Sequence, residues 1–309
     1  MTDDHRRIGD YDPAETELLL GVAADLLRSF GSAFGGRHLA IVGGLVPTLL
    51  VPEPPVGITA HPGTGDLDLH LSLHLLDGET ADYYQSIVDG LAKLGLKPAK
   101  EDGRELKWRW VGRFRGVQMI VEFLCPARTR GGVPERPAAG TPAEQNIGPT
   151  EAIRALGLQF GHLVPLDTIT VERRVSTAGG AMSYPFPVAD VTSWLCLKCD
   201  AIVLRDKAKD AFDVTWVVDA IGPEPVARRI ADSSLLDGDD RDQVIAQLRR
   251  LTDDQFRDVE STGPVQYATF HDEPGSQALR RHALGSLAAL RHALVSVGVL
   301  EAGTEGRSQ

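Results

Sequence analysis

Two aspartates, Asp66 and Asp68, head the run DLDLHLSLHLL at positions i and i+2. In an extended chain alternate side chains share a face, which sets these carboxylates side by side, roughly 7 Å apart along the backbone. Carboxylates so placed converge on a hard cation, or on two cations about 3.5–4 Å apart. An acidic chain also produces such a pair by composition alone, and a solvent-facing pair at a strand start is the plain alternative. Context favours chemistry: Leu67, Leu69, Leu71, Leu73 and Leu75 line the opposite face, so one side is buried while Asp66, Asp68, His70, Ser72 and His74 are presented. The two histidines either extend a metal site or are ordinary polar strand residues. Glu122 lies inside the apolar run VQMIVEFL, where a charge is costly without a partner. On a strand beside the aspartates it would make a three-carboxylate cluster; otherwise it pairs with Arg113 or Arg115.

Gly43 and Gly44 end the apolar run HLAIV. Backbone N–H groups at such a turn can cradle a phosphate, and the missing Cβ lets it come close. The spacing is not that of a dinucleotide fingerprint. A third cluster, LKCDAIVLRDKAKDAFDVTWVV, reads as helical, with Lys198, Ile202 and Arg205 near one face and Lys209 one turn from Asp213. It is either a phosphate-holding lysine with its supports or a solvated face of ion pairs. Cys196 and Cys199 have no second pair and fall in a helical pattern, so they are expected to pack in a core rather than hold zinc. The strip ELKWRWVGRFRG alternates aromatic and basic residues. Stacking on single-stranded RNA and covering a core as an amphipathic hairpin both fit it.

The elements that must position these groups are partly legible. Asp12, Pro13 and Glu15 mark a helix start, and apolar residues then recur at helical spacing from Leu18 to Leu27. HLAIVGG reads as a buried strand entering a turn, LVPTLLV as a short helix, and residues 52–65 as a proline- and glycine-rich loop. Residues 79–95 read as a helix, and Leu106–Phe114 and Val117–Leu124 as strands with Gly116 near their turn. Cys125–Gly148 is rich in Pro and Gly and is expected to be a long loop and a domain boundary. Beyond it HLVPLDTITVERRV is one more strand region, and from Val191 the signal is helical. An α+β layout follows, with an α/β domain over 1–150 and a mainly helical domain over 151–309.

With 32 Lys and Arg against 43 Asp and Glu among 309 residues, the formal net charge is -11. That argues against wrapping duplex DNA, where phosphate neutralisation drives binding, though a local basic strip could hold an RNA end. No window resembles a membrane span, the start lacks a signal-peptide core, and three cysteines give no disulfide framework. A cytoplasmic protein is expected.

Gly43-Gly44, Thr64-x-Asp66-Leu67-Asp68 and an apolar strand with one acid together resemble the nucleotidyltransferase superfamily. The later K-x2-A-x3-R-x3-K-D-x2-D pattern, here Lys198, Ala201, Arg205, Lys209, Asp210 and Asp213, resembles the AbiEii/AbiGii-type nucleotidyltransferase toxins, the enzymatic halves of bacterial toxin–antitoxin and phage-defence pairs. The likeness covers roughly residues 38–220. It implies a nucleotidyltransferase-like mixed sheet with flanking helices, followed by helices that contribute to the site. It further implies that Asp66 and Asp68 bind Mg²⁺ and that Gly43, Gly44 and Lys198 meet an NTP; Glu122 is the candidate third ligand on the reading of its strand above. Asp210 is implied as a further active-site residue. The implied reaction moves NMP to an RNA acceptor (a tRNA 3′ end) or to a protein hydroxyl, with a cognate antitoxin as partner. Two departures stand out: the Gly44-to-Asp66 interval is long, and Pro62 occupies a place where the family often has a base. Arg109, Arg113 or Arg115 would have to substitute. A small-molecule nucleotidyltransferase and a non-catalytic protein keeping the fold are the alternatives.

Overall fold

The computed structural model describes residues 6–30, 39–72, 81–130, 133–134, 144–147, 152–205 and 207–302. It is a mixed α+β structure that divides into two units, one of Gly9–Pro52 and His61–Leu197, the other chiefly of Glu53–Ala60 and the residues from Lys198 onward.

The first unit opens with α1 (Pro13–Ser29), capped by Asp12, whose carboxylate accepts from the Ala14 N–H at 2.8 Å. Then come β1 (Leu39–Val42), a 3-10 turn over Gly43–Leu45, the short α2 (Val46–Leu50), β2 (Asp66–Leu71) and α3 (Ala81–Lys93). The hairpin strands β3 (Lys97–Glu101), β4 (Arg104–Phe114) and β5 (Val117–Pro126) follow. Short strands β6 (Thr129–Arg130), β7 (Val133–Pro134) and β8 (Glu144–Asn146) lie where a loop was expected, and β9 (Arg154–Leu158) follows them. The long hairpin β10 (Thr168–Thr177) and β11 (Gly180–Ala189) leads into α4 (Val191–Leu204). The sheet order is β10-β11-β1-β2-β5-β4-β3, with β9 pairing β5 and β8. β1 runs parallel to β11 and β2 parallel to β5, while the other neighbours on that path are antiparallel.

These pairings move the expected boundary near 150. β9, β10 and β11 belong to the same sheet as β1 and β2, and the division falls inside α4, between Leu197 and Lys198. β11 carries two prolines, Pro185 and Pro187, which lie opposite Glu172 and Thr170 of β10 at alternate positions of the strand.

Cross-strand register sorts the sheet into two faces. Leu39 and Ile41 of β1, Leu67, Leu69 and Leu71 of β2, Met119, Val121 and Phe123 of β5, and Trp108 and Trp110 of β4 are buried on one side. The other side carries Val42, Asp68, Glu122 and Arg109 in one row across four strands. Trp108 and Trp110 of the aromatic strip are buried and serve the core, while Phe114 is part-buried, with the Arg115 guanidinium 5.2 Å from its ring centroid. Leu73, His74 and Leu75, expected to continue β2, lie outside the described residues.

The second unit is built of α5 (Ala208–Ile221), α6 (Pro223–Ala231), α7 (Arg241–Arg249), α8 (Thr262–Phe270) and α9 (Gln277–Ser296). α5, α6, α8 and α9 pack together around Phe212 and Phe270, whose ring centroids are 4.6 Å apart. The proline-rich segment is fastened to it, with Trp216 Nε1 donating to the Thr59 carbonyl at 2.9 Å. No described helix is long and apolar enough to cross a membrane.

Candidate active site

Asp66 and Asp68 stand half-buried at the head of β2, on the face opposite its leucines, as the alternation implied. Two loops define their surroundings. At the end of β1 the chain enters the 3-10 turn through Gly43, at φ +70°, a conformation L side chains rarely adopt. A Cβ at Gly43 would overlap the Asp68 carboxylate. The turn is held from its other side by Trp194 of α4, whose Nε1 donates to the Gly43 carbonyl at 3.0 Å. Thus Gly43 and Asp68, distant in sequence, are in direct contact, and Gly44 lies in the same turn.

The second loop is the buried segment His61-Pro62-Gly63-Thr64 leading to Asp66. His61 Nδ1 accepts from the Gly63 N–H at 3.0 Å, and Thr64 Oγ1 accepts a long bond from the Asp66 N–H at 3.4 Å. From the sequence, Thr64 and Pro62 stand out only through the family motif, and the hydrogen bonds of the stretch have no local signal.

Glu122 is the lateral neighbour of Asp68 in the parallel β2–β5 pair. Its carboxylate pairs with Arg109 Nη1 at 3.2 Å, rather than with Arg113 or Arg115. The hairpin decides this: Phe114 opposite Val117 brackets the turn, and stepping equally far from each brings Arg109 opposite Glu122. That count was open to the sequence once the turn at Gly116 was placed. Arg113 instead reaches the Gly116 carbonyl and Arg115 the Thr177 carbonyl, each at 3.4 Å. The expected three-carboxylate cluster is not formed, since among the described residues no three His, Cys, Asp or Glu side chains are placed to hold a metal ion. Asp66 and Asp68 remain a two-carboxylate set. Such a set suits Mg²⁺, which commonly takes one or two carboxylates and completes its shell with phosphate oxygens and water.

His70, next along the same face, is buried, and burial together with the charge of His162 pushes its pKa down to about 3. It is therefore a neutral ring at the closed end of the face. Cys196 and Cys199 are fully buried free thiols, as expected of core residues.

Lys198 and Asp210 belong to the helical unit and are joined there. Lys198 Nζ donates to Asp210 Oδ1 and to Asp213 Oδ2, both at 2.7 Å. Arg205 grips Asp210 through Nε at 2.9 Å and Nη2 at 3.2 Å, and Lys209 donates to Asp213 Oδ1 at 2.7 Å. Burial works against the Lys198 charge, yet Asp210 and Asp213 outweigh it and hold the pKa above the usual lysine value. Burial likewise opposes the Asp210 charge, but Arg205 and Lys198 bring that pKa below the usual carboxylate value. For Lys209 burial prevails and lowers the pKa. The solvated face of ion pairs considered from the sequence is instead a network in which Lys198, Asp210 and Asp213 are buried and Arg205 alone is half-exposed.

The chain matches no protein-family model, no curated protein and no solved structure.

Proposed function

We propose that this chain is a Mg²⁺-dependent nucleotidyltransferase that moves NMP from an NTP to an acceptor hydroxyl. The observation that carries the reading is the packing of the Asp68 carboxylate on the Gly43 turn. It brings a carboxylate pair suited to a hard cation against the Gly43–Gly44 turn, with Asp68 in the space that a Cβ at Gly43 would take.

In this reading Asp66 and Asp68 hold Mg²⁺, which supplies charge neutralisation on the triphosphate. The backbone amides of the Gly43–Gly44 turn would meet the phosphates. The acceptor hydroxyl oxygen bonds to the α-phosphorus and gives up its proton to water, the bond from the α-phosphorus to the α–β bridging oxygen breaks, and pyrophosphate leaves. Arg109, held by Glu122 in the row beside Asp68, is the nearest replacement for the base that Pro62 does not provide. We assign Lys198 and Asp210 to the integrity of the helical unit, because both are engaged by buried partners of opposite charge.

The RNA or protein acceptor, the toxin role and the antitoxin partner enter from the AbiEii-type resemblance. Burial of Trp108 and Trp110 favours a second reading, with a small-molecule hydroxyl as acceptor, since it takes two of the strip's three rings away from RNA stacking.

The test is transfer of label from each α-labelled NTP, with Mg²⁺ and total bacterial tRNA, by the native chain and by an Asp66→Ala, Asp68→Ala double variant. Label on tRNA from the native chain alone is the expected result, and label on protein selects the other macromolecular acceptor. NTP binding without transfer to either supports the small-molecule reading. A native chain that binds no NTP would overturn the enzyme and favour an interaction protein.

A further inference from the structure

Asp66 is approached through a segment whose backbone is fastened to a helix far away in sequence. Thr16 of α1 is buried, and its Oγ1 accepts from the Thr64 N–H at 3.0 Å and lies 3.4 Å from the Thr64 carbonyl, to which it donates. One hydroxyl thus answers both backbone polar groups of Thr64, which is itself buried. Buried backbone groups left without such partners are costly, so the segment has reason to stay where Thr16 holds it. Gly63, at φ +95°, makes the close approach feasible, because a Cβ there would overlap Thr16 Oγ1. The hold passes on to the site: Thr64 Oγ1 receives the Asp66 N–H, and Asp66 begins β2.

We propose that Thr16 is a positioning residue for the Asp66–Asp68 pair, its hydroxyl fixing through Thr64 where the first carboxylate stands. The inference rests on the nucleotidyltransferase reading, in which that pair holds the cation. A threonine serving only to pin α1 to the loop would affect folding alone. A positioning threonine affects cation affinity in a chain that is still folded.

Thr16→Val keeps the shape and removes the hydroxyl, Thr16→Ala removes it with less bulk, and Thr16→Ser keeps it. The probe is Mn²⁺, titrated by electron paramagnetic resonance with an NTP present, beside thermal melts and the kcat and KM of transfer. Outer-shell partners of a metal site typically change affinity by about 10–100-fold, and a weakening in that range is expected for the Val and Ala variants. The Ser variant is expected to stay within about twofold of the native chain, well inside that range. Their kcat should fall while KM for the acceptor holds, because the acceptor is not touched by Thr16. If Val is too large beside Gly63 to fold, the Ala variant carries the comparison. Folded Val or Ala variants that bind Mn²⁺ as the native chain does would overturn the role of Thr16 and leave the function standing. A native chain that binds no Mn²⁺ beyond the Asp66→Ala, Asp68→Ala variant would overturn both.

Discussion

Asp68 and Asp213 are the same residue type on regular elements, in opposite surroundings. Asp213 is sealed within the helical unit at 0% exposure, with a lysine ammonium 2.7 Å from each carboxylate oxygen. Asp68 is half-buried at the start of β2, its carboxylate in the space that a Cβ at Gly43 would take. A sealed carboxylate is compatible with folding only when its partners are built in, and those partners leave it little freedom to serve anything else. A half-buried carboxylate keeps access for a ligand. The two acid clusters are thus expected to fail differently, one as a loss of stability and the other as a loss of binding.

The largest effect falls on the sealed cluster. Lys198→Met leaves Asp210 and Asp213 without their shared ammonium, and breaking a buried pair this way costs about 3–5 kcal/mol. Urea unfolding should show that loss, whereas the Asp66→Ala, Asp68→Ala variant should unfold close to the native midpoint. Equal midpoints for Lys198→Met and the native chain would remove the contrast.

Gly43→Ala sharpens the other side. The new Cβ meets the Asp68 carboxylate at a backbone of φ +70°, and strain of that kind costs about 1–3 kcal/mol. Lower Mn²⁺ affinity is expected along with a lowered melting temperature. Unchanged binding would mean that the turn does not set the place of Asp68.

The smallest effect concerns a surface pair in the helical unit. His282 Nε2 and Asp219 Oδ2 are 2.8 Å apart, and the hydrogen bond with Asp219 raises the His282 pKa above its ordinary value. A raised folded pKa gives stability that is complete below the unfolded value of about 6.5 and is lost as pH rises through the folded pKa. The melting-temperature difference between the native chain and His282→Asn should therefore shrink as pH rises past about 6.5. A difference that grows instead would contradict the pairing. Because His282 is half-exposed, solvent screening keeps the effect small.

Local signals carried much of this structure. The Asp12 cap, the leucine alternation of β2 and the turn at Gly116 each depend on residues a few positions apart, and each appears where the sequence placed it. The carboxylate pair was legible for the same reason, since its shared face follows from the period of a strand. The partner of Glu122 was legible in principle and missed, because the nearby Arg113 and Arg115 were weighed without counting the hairpin register. Thr16 offered no signal, being one threonine in an amphipathic helix.

The sequence by itself determined which residues could do chemistry and which elements bear them, because helix caps, tight turns and side-chain alternation are short-range physics. Only the tertiary structure decided which of those residues meet. β11 joins β1 in parallel, which draws the later strands into the first unit, and nothing local distinguishes that pairing from another between apolar strands. The register of β4, β5 and β2 turned Trp108 and Trp110 inward and set Glu122 between Asp68 and Arg109. Burial closed the Lys198 cluster on itself. Each outcome depends on contacts between residues far apart in the chain, whose energies belong to the assembled core and are absent from any short window of the sequence.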